Sequence, residues 1–229
     1  NGRTVQGEME KALQTLNNGA VRLTASGRTD SGVHASGQVA NFYTENISIP
    51  AERYTPALNS ILPRDIRILK SMEAEADFHS RFDARIRVYR YYLMEGSVCE
   101  PWNDRFCWRK GRLPGLAVLN RIVSPLAGTH DFSAFAAAGD PSRSKVRTIY
   151  SAAFTVEGAR MVFKIAGNAF LWRMVRSILG TAMEIAEAGG SAEEMRSILT
   201  GKQRTDAGTT APARGLFLER VLYDERAVI

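Results

Sequence analysis

The octapeptide Gly27-Arg28-Thr29-Asp30-Ser31-Gly32-Val33-His34 sets one acid in a loop punctuated by glycines, with Gly37 close behind. Short apolar alternations flank it, Val21-Leu23-Ala25 before and Val39-Asn41-Tyr43 after, which predicts strands near 20–25 and 37–43. Glycine allows bends and close backbone approach that other residues resist. A loop held between two strands is a good platform for a single reactive carboxylate. Asp-Ser-Gly is also ordinary turn chemistry, in which the Asp side chain bonds to nearby backbone N–H groups. The residues alone leave both readings open.

Outward from the loop, Val5, Met9, Ala12, Leu13 and Leu16 recur at helical spacing, and Asn17-Asn18-Gly19 ends the run. Residues 51–61 read as a helix with Pro56 near its start, and 65–72 as a strand with Ile66 and Ile68 on one face. The run Phe78-His79-Ser80-Arg81-Phe82-Asp83-Ala84-Arg85 leads into a further strand over 85–92. Period two puts Arg85, Arg87, Tyr89 and Tyr91 on one face of it, and Ile86, Val88 and Tyr92 on the other. A basic and aromatic face suits RNA, because cations meet phosphates and a tyrosine stacks on a splayed base. A solvated face of ordinary β-forming tyrosines fits the pattern equally well.

Downstream, 114–123 reads as a helix, 145–156 and 160–166 as strands, and Asn168 as the cap of a helix to about Ala188. In that helix Leu171, Val175, Ile178, Ala182 and Ile185 form a buried stripe, while Arg173 and Arg176 share a side. Ser191-Ala192-Glu193-Glu194 opens another helix that Gly201 closes, and 216–223 is the final strand. Strands and helices alternate without a strict βαβ rhythm. The expected organisation is two mixed α/β subdomains around a cleft: residues 1–79, carrying the Asp30 loop, and residues 80–229.

Composition narrows the class. The 229 residues are 45% hydrophobic and 24% charged, which is globular. A net charge of +6 suits a polyanionic partner, nucleic acid above all, though a merely soluble basic protein has the same signature. No apolar run approaches the ~20 residues that span a bilayer. Cys99 and Cys107 imply no disulfide framework and fit reduced thiols in a cytosolic protein. His34, His79 and His130 lie far apart, without zinc-ligand spacing. No phosphate-binding P-loop or dinucleotide glycine fingerprint occurs. Asp30, Ser31 and His34 are too close in sequence to suggest a hydrolase triad.

The octapeptide resembles the active-site signature of the tRNA pseudouridine synthase I family, the A-type enzymes acting on the anticodon stem-loop. Further segments match in the same order from Thr4-Val5-Gln6-Gly7 onward. They are Gly128-Thr129-His130-Asp131-Phe132-Ser133-Ala134-Phe135, Arg147-Thr148-Ile149, Gly167-Asn168-Ala169-Phe170-Leu171-Trp172-Arg173-Met174-Val175-Arg176, and Ala211-Pro212-Ala213-Arg214-Gly215-Leu216-Phe217-Leu218. The resemblance implies an α+β pseudouridine synthase-like fold, a largely antiparallel sheet and a basic RNA-binding cleft. It implies isomerisation of uridine to pseudouridine at tRNA positions 38–40, without metal or organic cofactor, by a cytoplasmic homodimer. Asp30 is then the nucleophile, Arg28 its aid in base flipping, Arg176 its ion-pair partner and Tyr89 the residue that contacts the target base. Leu216 and Leu218, alternate residues of one strand, become the apolar wall of the uracil pocket, although core packing explains them as well. A guanidinium beside a carboxylate favours the charged form that a nucleophile needs. Whether Asp30 attacks the uracil ring or the ribose, or promotes a glycal, stays open. The family carries a further first strand with a Gly-Trp-Gln motif, so a front segment is expected ahead of Asn1. The rival readings are a non-catalytic RNA-binding or chaperone protein and a uridine methyltransferase, which needs a nucleotide-type cofactor site.

Overall fold

Thr4 caps the first helix by accepting the Gly7 N–H on its hydroxyl at 3.1 Å, and Asn18 ends it by turning left-handed at φ 54°. The computed structural model describes residues 2–98 and 100–224, so Cys99 lies outside the described residues. In chain order the elements are α1 (Val5–Asn17), β1 (Thr24–Ala25), β2 (His34–Ala35), β3 (Ala40–Asn41), α2 (Tyr54–Ile61), β4 (Ile86–Glu95), α3 (Pro101–Asp104) and β5 (Trp108–Lys110). There follow α4 (Leu116–Val123), β6 (Gly128–Asp131), β7 (Val146–Glu157), β8 (Arg160–Gly167), α5 (Met174–Glu187), α6 (Ala192–Gly201) and β9 (Leu216–Leu222). The fold is α+β with a mixed, open sheet. No helix among the described residues is long and apolar enough to cross a membrane.

The chain forms two compact units, Asn1–Gly27 with Val39–Asp83, and Arg28–Gln38 with Ala84–Ile229. The sequence suggested a division at 79, with the Asp30 loop in the N-terminal part. The loop groups instead with the second unit, because β2 pairs in parallel with β9, His34 against Phe217 and Ala35 against Leu218. The Gly37 N–H extends that pairing by donating to the Leu218 carbonyl at 3.2 Å.

In the first unit, Ala12 and Leu13 of α1 pack with Leu23, Tyr54, Leu58, Leu62 and Ile66. Pro56 lies in the first turn of α2, where its missing N–H costs nothing. The strands flanking the loop are shorter than the alternation suggests: β1 and β3 each span two residues, paired Thr24 to Asn41 and Ala25 to Ala40. Residues 65–72, expected as a strand, form no ladder among the described residues. Ile66 is buried, but the backbone of Ile68 is bracketed by the Asn59 amide, which donates to its carbonyl and accepts its N–H, both at 2.8 Å. Alternation produced extended backbone there, and a side chain took the place of a partner strand.

In the second unit the sheet runs β2-β9-β4-β8-β7-β6, with β5 parallel to β4. Tyr91 and Leu93 of β4 join Phe163 and Ile165 of β8 in a core completed by α4, α5 and α6. Ile86 and Val88 occupy the opposite face with Ala166 and Leu222. The basic, aromatic face expected for 85–92 is therefore corrected. Tyr91 is fully buried and its hydroxyl donates to the Pro212 carbonyl at 2.7 Å. Arg87 is half-buried and donates to the carbonyls of Ala84 and Asn168 at 2.9 and 2.7 Å. Helices cover Tyr91, which therefore serves the core, with its phenol satisfied by the main chain.

The stripe expected in α5 is observed for Val175, Ile178, Ala182 and Ile185, all buried; Leu171 is buried too but precedes the helix. Asn168 is not its cap. The Asn168 amide oxygen accepts the N–H groups of Thr148 and Ala169, and α5 begins only after Arg173, held left-handed at φ 62°. Ser191 does cap α6, whereas Gly201 is its last residue and Lys202, at φ 59°, ends it.

Candidate active site

Asp30 opens a turn that the main chain closes: the Val33 N–H donates to the Asp30 carbonyl at 3.0 Å, and Gly32 supplies the positive φ of 80°. The carboxylate is thus left for other partners, unlike an Asp that caps its own turn. Its Oδ2 accepts a hydrogen bond from Arg176 Nη1 at 2.7 Å. Its Oδ1 accepts from the indole Nε1 of Trp172 at 2.9 Å. The Asp30 and Arg176 side chains are 19% and 13% exposed, so the pair is neither at the open surface nor sealed.

Arg176 stands in the first turn of α5 and is held from behind. Its Nε donates to the Ala211 carbonyl at 2.8 Å, and the Ala211 N–H returns a bond to the Arg176 carbonyl at 3.1 Å. Gly180, one turn on, lets the 209–211 backbone lie against the helix, because a Cβ there would run into the Thr209 carbonyl. Guanidinium direction is therefore set by the helix and by the segment packed on it.

Tyr89 lies on β4 between Ile165 of β8 and Leu218 of β9. Its ring is edge-on to Phe170, with centroids 5.1 Å apart. Burial pushes the phenol up to about 12, with the Arg87 charge opposing and the Asp30 carboxylate adding to the rise. Asp30 and Tyr89 are thus within electrostatic reach of one another. Leu218 is the cross-strand neighbour of Tyr89, and Leu216 that of Tyr91; both leucines are buried. Arg28 is exposed, and no hydrogen bond or ion pair joins it to Asp30 among the described residues. Arg173 does not share a helix face with Arg176; it precedes the helix and lays its guanidinium over the Trp172 ring at 5.0 Å. His34 stacks on Phe217 at 4.6 Å.

Two residues at this site were not singled out from the sequence. Trp172 lay inside the quoted run, four residues before Arg176, but it precedes α5, so helical spacing does not pair the two. Asp140 lies 32 residues from Trp172 and accepts its backbone N–H at 2.6 Å. Burial works upward on the Asp140 carboxyl but is outweighed by the Lys145 ammonium and the N–H groups of Trp172 and Ser142, which hold it well below the usual carboxylate range.

Comparisons with known proteins bear on the family to which the chain belongs. A family model described as tRNA pseudouridine synthase matches residues 1–83 and 122–224. The chain belongs to the tRNA pseudouridine synthase family. A tRNA pseudouridine synthase A of Treponema denticola is 46% identical over 223 residues, covering 97% of this chain and 83% of that relative. Enzymes of the same name from Halalkalibacterium halodurans and Borrelia duttonii are 43% and 40% identical over 221 residues. Those alignments cover 96% of this chain and 84% and 90% of the relatives. The family model passes over 84–121, the stretch that carries Tyr89, whereas the relatives align over nearly the whole chain.

Proposed function

We propose that the Asp30 carboxylate is the nucleophile with which this tRNA pseudouridine synthase works on uridines 38–40 of the anticodon stem-loop. The chain is an isomerase that converts uridine to pseudouridine in tRNA. In that reaction the N1–C1′ glycosidic bond breaks, the uracil turns, and a C5–C1′ bond forms. The C5 hydrogen leaves as a proton and N1 gains one, so nothing is oxidised or reduced. The observation that carries the assignment is the side-chain clamp on Asp30: each carboxylate oxygen accepts one directed N–H, from Arg176 and from Trp172. A carboxylate spent on capping its own turn has no such use.

The other roles follow from chemistry. A uridine stacked in the anticodon arm must leave the stack before any group reaches it, at a cost of a few kcal/mol. Arg28, exposed two residues before the nucleophile, fills the vacated space and holds phosphate or base edges. Tyr89 receives the everted base, with Leu218 beside it and Leu216 behind as the apolar wall. Arg176 holds the nucleophile in one orientation through a charge-assisted hydrogen bond. Attack on the ring, attack on the ribose and abstraction leading to a glycal all start from an Asp30 oxygen. The enzyme acts in the cytoplasm as a homodimer; there, Cys107 stays a buried thiol donating to the Asn103 carbonyl. The test is to incubate unmodified tRNA with the protein and map pseudouridine along the transcript. Modification at 38, 39 or 40 is expected, and modification confined to other positions overturns the assignment.

A further inference from the structure

Asp140 is a nearly buried acid, its side chain 2% exposed, and the roles above leave it unused. Three donors converge on it: Lys145 Nζ at 2.6 Å, the Trp172 backbone N–H at 2.6 Å and the Ser142 N–H at 2.9 Å. The Trp172 carbonyl is held as well, accepting the Ala137 N–H at 2.9 Å. The next residue, Arg173, is locked left-handed at φ 62° where α5 begins. Both backbone polar groups of Trp172 are thus fixed, and so is the conformation that follows. That much constraint on a residue 44% exposed has no packing purpose of its own. What it fixes is the direction of the indole N–H, which meets Asp30 Oδ1 at 2.9 Å.

We propose that Trp172, anchored by Asp140, is a positioning residue that holds the second oxygen of the Asp30 carboxylate and so sets the angle of attack. This rests on the reading of Asp30 as nucleophile. Arg176 alone grips Oδ2 and leaves the carboxylate free to swing about that bond. A second donor on Oδ1 removes the swing, and near-attack geometry is sensitive to displacements of this kind. The indole suits the task because its N–H donates and cannot accept, so it cannot compete with Asp30 for a proton.

The decisive comparison is between two ring substitutions. Trp172→Phe keeps an aromatic face for Arg173 and for RNA but loses the donor. Trp172→His loses most of that face but retains a five-membered ring with Nε2 where the indole Nε1 stands. Tritium release from tRNA labelled at uracil C5 reads kcat, and filter binding reads tRNA affinity. The expected result is a fall in kcat on the order of tenfold to a hundredfold for Trp172→Phe, the full worth of a hydrogen bond to a charged group, with affinity within about threefold. Trp172→His then recovers most of kcat. Phe outperforming His overturns the proposal, because ring packing and not donation would then be the function. Asp140→Ala is expected to lower kcat with little change in affinity; a folded Asp140→Ala enzyme at full kcat removes the anchor from the scheme. Asp30→Ala is run alongside: activity surviving there sinks the nucleophile itself, whereas an inactive Asp30→Ala with a fully active Trp172→Phe sinks only the positioning role.

Discussion

Breaking the Asp30–Arg176 pair should cost stability by an amount the geometry bounds. An exposed ion pair contributes about 0–1 kcal/mol, and removing one partner of a fully buried pair costs about 3–5 kcal/mol. At 13% and 19% exposure and 2.7 Å, this pair lies between those limits, near the roughly 2 kcal/mol typical of a hydrogen bond to a charged group. Arg176→Ala also strips the Nε–H from the Ala211 carbonyl, worth about 1 kcal/mol more. In the wild-type background the substitution therefore costs about 3 kcal/mol. In an Asp30→Ala background only the Ala211 term remains, so the cost falls to about 1 kcal/mol or less. Urea unfolding of the four proteins closes the cycle, and the difference isolates the pair, because terms common to both backgrounds cancel. A coupling of about 2 kcal/mol is expected. A coupling below about 0.5 kcal/mol refutes the claim that Arg176 holds this carboxylate, whatever the activities of the variants.

Gly37→Ala should destabilise by at least about 2 kcal/mol and abolish activity with it, because the new Cβ would run into the Glu219 carbonyl and push β2, and the Asp30 loop before it, off β9; thermal unfolding and turnover check this together. Tyr89, raised from 10.0 to about 12, binds its proton in the folded state where the unfolded chain has lost it, so stability should fall as pH rises from about 10 to about 12. Tyr89→Phe should shrink that alkaline loss, measured as Tm against pH. Asp140 has the opposite sign: held below its ordinary 3.8, it contributes stability that is complete above that value and lost as pH falls beneath it. Asp140→Asn should flatten the acid limb of the same Tm profile.

Local signals carried the fold where chemistry and periodicity agreed. The stop of α1 at Asn18, the α5 stripe and the Ser191 cap are short-range devices, and each reads directly from neighbouring residues. Failures came where a distant partner decides the outcome. Residues 65–72 alternate like a strand, yet Asn59 takes the main-chain bonds of Ile68. Tyr91 has a period-two position that suits an RNA face, and the helices over the sheet turned it into core. Asn168 has a capping side chain, but the Thr148 backbone claims it. The Asp30 loop moved to the second unit because β9, some 180 residues away, pairs with the two residues of β2. At the site, Asp30 and Arg176 were visible as motif residues, and the structure brings them together. Trp172 and Asp140 were not, since an indole's usefulness depends on a backbone anchor 32 residues upstream that no local pattern announces.

The account stands on Asp30 as the reacting group, and tritium release from uracil-C5-labelled tRNA reports on it directly, since pseudouridine cannot form without expelling that hydrogen. Asp30→Ala protein, shown to be folded and to bind tRNA, should release no tritium above background over many wild-type turnovers. Release at a rate within about tenfold of wild type would contradict the account.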